Sequence, residues 1–250
     1  MLFALGFRNR KKIASLPLFM KELFKKSIRI LKKILFWFLI ISIFSTIIFR
    51  WIPIPFTPLM LIRCVEQKSD GKEMKLEKNW KSLDEISERM PEVVIASEDQ
   101  KFEEHFGFDV AAIEKAQQYN EKMNGKKVKG ASTISQQTAK NVFLNQSRSY
   151  WRKGLEVYFT FLIEVFWSKE RIMEVYLNVI EMGDGIYGTE AAAQAYFHKP
   201  AKNLNAKEAS LIAACLPNPR KWSPAKPSAY IQKKSAWIMR AMKKIDYQEF

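Results

Sequence analysis

The chain has 250 residues, 48% of them hydrophobic and 27% charged, with 41 Lys and Arg against 26 Asp and Glu and a formal charge of +15. Two cysteines, Cys64 and Cys215, make no disulfide framework, and sequence alone does not say whether they pair. Two histidines, His105 and His198, without His-Glu-x-x-His exclude the usual zinc hydrolase pattern.

Much of the charge is local. Residues 1–33 carry ten basic side chains against Glu22 alone, leaving a surplus of six for the other residues. That remainder has no interleaved base-stacking motif, which argues against nucleic acid and suits phosphates or lipid head groups. Ile34 to Phe49 then runs for sixteen residues without a charge. As a helix it would be about 24 Å long, and Trp51 and Ile52 extend it into the interface, so a single transmembrane anchor over 34–52 is predicted. No Ala-x-Ala site follows and the basic flank is long, which favours an uncleaved anchor over a signal peptide. The positive-inside bias puts residues 1–33 in the cytoplasm and the domain at 53–245 on the extracytoplasmic side. Its length suits one core.

After the anchor, Pro53, Pro55 and Pro58 forbid a continuing helix through the apolar stretch to Ile62, which either lies along the bilayer or straps onto the domain. Ser82 and Glu85 have capping-box spacing, Pro91 interrupts, and a helix is predicted from Val93 to Phe102. Leu155 to Met182 reads as a long core helix broken near Ser168, and Asn205 to Leu216 as another, capped by Asn205 and Glu208 and stopped by Pro217 and Pro219. Strand signals are few, with irregular loops expected around Gly107, Gly130 and 183–188, so the domain reads as mainly α. Gly183-Asp-Gly-Ile-Tyr-Gly188 matches GxGxxG but follows a helical pattern, so it is read as a loop. The SxxK matches at Ser69 and Ser223 lack any Lys-Thr-Gly partner.

Two blocks carry the chemistry. Glu98-Asp-Gln-Lys-Phe-Glu-Glu-His-Phe-Gly107 is acid-rich, and Gly130-Ala-Ser-Thr-Ile-Ser-Gln-Gln-Thr-Ala-Lys-Asn141 is densely polar with a cation. Together, just beyond an anchor, they suggest acid/base chemistry on an anionic substrate at a membrane. Ser132, Thr133, Gln136 and Gln137 either line a sugar or phosphate groove or cap a helix start. Arg152, Lys153 and Glu156 would share one side of a helix, a pattern that by itself is an ordinary surface ion pair.

With these motifs the chain resembles the bacterial peptidoglycan glycosyltransferases of glycosyltransferase family 51, in the monofunctional form without a transpeptidase. Glu-Asp-x-x-Phe-x-x-His-x-Gly falls on Glu98, Asp99, Phe102, His105 and Gly107. Gly-x-Ser-Thr-Ile-x-Gln-Gln-x-x-Lys-Asn falls on Gly130, Ser132, Thr133, Ile134, Gln136, Gln137, Lys140 and Asn141. Arg152-Lys153-x-x-Glu156 follows, and a fourth motif runs from Lys169 to Asn178 with Met173 in place of Leu.

The resemblance implies a lysozyme-like helical domain that polymerises lipid II with inversion, releases undecaprenyl diphosphate and uses no organic cofactor. It implies Glu98 as general base and Glu156 as the second site carboxylate, organising the phosphate site, with Mg²⁺ or another divalent cation as a candidate ligand of Glu156. Lys140 and Arg148, joined by Arg152, Lys153 and Asn141, would meet the diphosphate. Asp99, Phe102, His105 and Gly130 would support Glu98, and Lys169, Glu174 and Asn178 would brace the cleft. Lipid II, the growing glycan, membrane lipids and other cell-wall synthesis proteins are the expected partners. A lysozyme-like glycan-cleaving enzyme and a non-catalytic lipid II-binding scaffold are the competing readings.

Overall fold

The computed structural model describes residues 18–124, 129–147 and 149–245. The chain divides into two units between Ser45 and Thr46. Helix α1 (Leu18–Ile48) starts well before the uncharged run and takes in the preceding basic residues. Its segment Glu22–Ile48 is long and apolar enough to cross a membrane. Leu31, Ile34, Phe36, Trp37, Ile41 and Phe44 all point outward from it, an apolar surface that water would not stabilise.

The second unit begins at the helix end and is mainly α-helical. Pro58, expected to prolong an irregular segment, instead opens α2 (Pro58–Ser69). Thr57 caps it by accepting from the Met60 amide, and proline at the first position lacks only an N–H that would have had no partner. The preceding strap splits its side chains: Ile54 is fully buried, whereas Trp51, Ile52 and Phe56 are exposed. Ser82 does bind Glu85, through both its amide and its hydroxyl, but the helix they open is a single 3-10 turn at Leu83–Glu85.

Helix α3 (Arg89–Glu98) carries Pro91 in its first turn, so the proline lies inside the helix start and does not interrupt it. The helix stops at Glu98, short of the predicted Phe102, because Asp99 turns its backbone out of helical geometry (φ −161°). Next come α4 (Val110–Lys122), α5 (Ile134–Phe143) and α6 (Tyr150–Phe166). The predicted break at Ser168 is present: Ser168 accepts from the Arg171 amide and caps α7 (Lys169–Val179).

Residues read as a GxGxxG loop form a small hairpin, β2 (Glu181–Gly183) and β3 (Ile186–Tyr187), with β1 (Glu77–Lys78) parallel to β3 on its far side. Gly185 makes that turn possible, since its φ is +71° and a Cβ there would sit 2.4 Å from the Lys75 carbonyl oxygen. Three more helices close the unit: α8 (Thr189–Phe197), α9 (Ala206–Cys215), capped by Asn205 and Glu208 as the sequence predicts, and α10 (Ala229–Met242).

Two helical groups make the core. α5 packs on α6 and α7, α3 packs on α9 and α10, and α3 against α7 joins them. α7 is central, with Ile172, Met173, Val175, Tyr176, Leu177 and Val179 all fully buried. Its N-terminal turn also fastens the chain that enters the domain. Trp167 donates from Nε1 to the Thr46 carbonyl at 2.7 Å, while Arg171 donates to the carbonyls of Phe49 (2.8 Å) and Ile52 (2.6 Å) and pairs with Glu174 at 2.5 Å. Phe143, stacked on Phe159 at 4.4 Å, meets Phe49 and Trp167 at its other edges.

Arg171→Ala removes those charged hydrogen bonds and leaves Glu174, whose carboxyl is already raised by burial, without its cation and with only the Trp80 hydrogen bond among the causes that lower it. Its expected cost is about 3 kcal/mol. Thermal unfolding followed by circular dichroism should show Tm lower by about 8 °C.

Candidate active site

Glu98 ends α3 facing α5. Its Oε2 accepts from Gln137 Nε2 at 3.1 Å, and Gln137 Oε1 accepts from the Tyr176 hydroxyl at 3.4 Å. Tyr176 is fully buried, and its pKa is pushed well up by that burial and by the neighbouring charges of Glu98 and Asp99. It therefore stays a neutral donor, which fixes the Gln137 amide with its NH2 toward Glu98. In sequence Tyr176 falls within the core-helix pattern and the fourth motif, with no role of its own assigned.

Asp99 is a structural carboxylate. Buried, it accepts from His105 Nε2 at 2.9 Å and from the amide of Ile134, the first residue of α5, at 3.0 Å. A negative charge at that helix start is favoured by the exposed amides and the helix dipole. Lys169 donates to the His105 carbonyl at 2.6 Å and to Glu164 at 2.8 Å, and lies 4.7 Å from the ring centre of the buried Phe102. Glu164 in turn accepts from Ser135. Asp99, Phe102, His105 and Lys169 thus hold the loop after Glu98 against α5. Gly107 completes that loop at φ +76°, where a Cβ would lie 2.8 Å from Thr160 Cγ2. Asn178 braces elsewhere, exchanging two hydrogen bonds with the backbone of Lys81.

Of the polar block, Thr133 and Gln136 form a reciprocal cap on α5. The Gln136 amide donates to Thr133 Oγ1 and the Thr133 amide to Gln136 Oε1, while Thr133 Oγ1 donates to the Gly107 carbonyl. Both are buried and make the cap, while Thr133 also lines a hollow with Glu98, and Gln136 another with Ser132 and Lys153. Gly130 and Ser132 line a hollow of about 490 Å³ that also contains Glu98, Lys101, Lys115 and Trp237.

Lys140 and Asn141 face a separate cleft of about 930 Å³, shared with Gln137 and Arg152 and continuing toward Arg63, Glu181 and Arg220. Asn141 donates to the Gln137 carbonyl and accepts from Gln146. Burial lowers the pKa of Lys140; the Glu156 charge raises it and those of Arg152 and Lys153 lower it further. Glu156, buried on α6, accepts from Arg152 with one oxygen and from Lys153 with the other, so all three do share one side of the helix. Arg152 keeps a buried Nε with no partner among the described residues. Arg148 lies outside the described residues.

The residues present do not fit a protein-held divalent cation at Glu156. Both carboxylate oxygens are already engaged by cationic side chains, and among the described residues no three His, Cys, Asp or Glu side chains cluster to hold a metal. Guanidinium and ammonium occupy the places an ion would take.

One residue entered the site without a sequence signal beyond its place in a basic run. Lys234, on α10, has its pKa lowered by burial and raised by the Glu98 charge, and donates to the Ala214 carbonyl at 3.4 Å. The two cysteines are free.

A family model described as Transglycosylase matches residues 67–243. Among curated relatives, a protein of Bacteroides thetaiotaomicron is 53% identical over 218 residues, 87% of this chain and 87% of its own length. One from Pseudomonas syringae pv. syringae is 48% identical over 223 residues, 89% of this chain and 94% of its own. A third, from Stutzerimonas stutzeri, is 49% identical over 215 residues, 86% and 88% respectively. All three are named biosynthetic peptidoglycan transglycosylase. By the extent of these matches, the chain belongs to the transglycosylase family.

Proposed function

We propose that this transglycosylase polymerises peptidoglycan strands from lipid II on the extracytoplasmic face of the bacterial cytoplasmic membrane, releasing undecaprenyl diphosphate. One observation carries the reading: a carboxylate in one hollow and a cationic cluster in the neighbouring cleft are joined by the single side chain of Gln137. The acceptor's 4-hydroxyl attacks the donor's anomeric carbon while its proton passes to Glu98, and the bond to the diphosphate oxygen breaks on the opposite side. Configuration inverts in one displacement. Negative charge grows on the leaving diphosphate, where Lys140, Arg152, Lys153 and, by the family resemblance, Arg148 lower the barrier more than they stabilise bound substrate. Glu156 orients that cluster, and no step is assigned to a metal. The basic flank of the anchor supports the orientation.

A glycan-cleaving enzyme would protonate a leaving sugar and would have no use for a cationic cluster gathered round a buried carboxylate, so Lys140 and Arg152 weigh against it. A scaffold that binds lipid II without turnover is separated by activity.

Detergent-solubilised protein incubated with labelled lipid II should yield polymer resolved by size, and Glu98→Gln should lower kcat by about 10²- to 10⁴-fold. Bound lipid II without polymer from the unaltered protein would favour the scaffold.

Lys140→Ala should reduce kcat far more than lipid II affinity; equal losses would mean uniform binding.

The lowered pKa of Lys140 sets a pH limit. Its charge is complete below that pKa and lost as pH rises through it, so turnover should fall on the alkaline side earlier than an ordinary lysine, near about 10.4, would allow. Lys140→Arg, charged throughout, should flatten that limb in kcat measured from about pH 7 to 10.

A further inference from the structure

We infer that the far end of the large cleft, built by Arg63, Glu181, Asp184 and Arg220, is a subsite for the charged peptide stem of the glycan substrate. It rests on the lipid II reading above and adds to it where the stem goes.

The end is constructed from separate elements. Arg63 on α2 faces Glu181 on β2, with Nη2 to Oε2 at 3.5 Å and Nε to Oε1 at 3.4 Å, and the Glu181 side chain is 9% exposed. Arg220, in the loop after α9, pairs with Asp184 in the hairpin turn at 3.2 Å and reaches Glu66 at 3.9 Å. All four proposed residues line the same cleft as Lys140.

This network does not close on itself. Arg63 Nε and Glu181 Oε1, though 3.4 Å apart, make no hydrogen bond, and neither does the buried hydroxyl of Tyr187. They are neighbours: Tyr187 has its pKa raised by burial and then by the Glu181 charge, and Glu181 is raised by burial and lowered by Arg63 and Arg220. Buried polar atoms left without a hydrogen bond are costly, so a self-sufficient structural ion pair would have closed to hydrogen-bond distance and satisfied the hydroxyl. A loosely made charge pair lining a cleft, with an unsatisfied hydroxyl beside Glu181, suits an incoming ligand.

The signs narrow its chemistry. A bare diphosphate would meet Glu181 and Asp184, and like charges at such range repel. An uncharged sugar needs no buried guanidinium. A peptide bearing both an ammonium and carboxylates matches both: its carboxylate to Arg63 and Arg220, its ammonium to Glu181 and Asp184.

Two substrates test this: lipid II with the full pentapeptide stem, and lipid II with the stem cut to its first residue. In the unaltered protein, cutting the stem should raise KM about tenfold. In Arg220→Gln and Glu181→Gln the ratio of the two KM values should fall close to one. Arg220 is half-exposed, so its variant stays informative if Glu181→Gln, checked by circular dichroism, fails to fold. A KM ratio near one in the unaltered protein, or a ratio that both variants preserve, would overturn the subsite. Absence of polymer from either substrate would instead overturn the lipid II reading itself.

Discussion

The site depends on the buried carboxylate of Asp99. It follows Glu98 directly, leaves helical geometry and accepts from the first amide of α5, 35 residues further along the chain. One ion therefore ends one helix and starts another, and the position of Glu98 relative to α5 follows from that junction. The carboxylate's desolvation is offset by the Ile134 amide and the His105 ring. The loop between is pinned in turn by Lys169 from α7, whose ammonium meets a carbonyl, a carboxylate and an aromatic face together. A position that must not move is thus fixed by interactions that are costly to break one at a time.

The opposite requirement governs the cations. Lys140, Arg152 and Lys153 surround a single buried Glu156, so the group carries a net positive charge even with its internal pairs made. Burial lowers the pKa of Lys140, and Glu156 offsets part of that effect. The carboxylate keeps the cations gathered and charged without neutralising them. Such a surplus, held in a partly enclosed cleft, favours a ligand that gains negative charge during reaction.

Much of this was legible in sequence where a local rule applied. Asn205 with Glu208 and Ser168 before α7 were readable because caps are short-range hydrogen bonds between residues a few positions apart. Arg152, Lys153 and Glu156 were readable because helix spacing alone brings them together. The failures share a cause. Pro58 and Pro91 were read as interruptions although each lies in the first turn of a helix, where position, and not the residue, decides. The roles of Tyr176, Lys234 and the Arg63 to Glu181 pair arise between distant elements, where a residue's type does not reveal its partner. The GxGxxG segment is a hairpin because β1, about a hundred residues earlier, supplies the edge for β3.

Gln137 and Lys140 stand three residues apart on α5, about 4.5 Å of rise, and so on one face of one rigid helix. Gln137 touches Glu98, the proton acceptor of the proposed mechanism, and Lys140 lines the cleft where that mechanism puts the leaving charge. The two halves of a displacement, a proton arriving on one side and a negative charge departing on the other, would then be referred to a single element. Because Asp99 and the Thr133–Gln136 pair both cap that same helix, the amides of Thr133, Ile134 and Gln136 are satisfied and its start is fixed. A carboxylate tethered to α5 by an amide, and a lysine borne by α5, keep their spacing whatever the outer loops do. That is the geometric condition for concerted inversion, in which attack and departure must be aligned at one carbon.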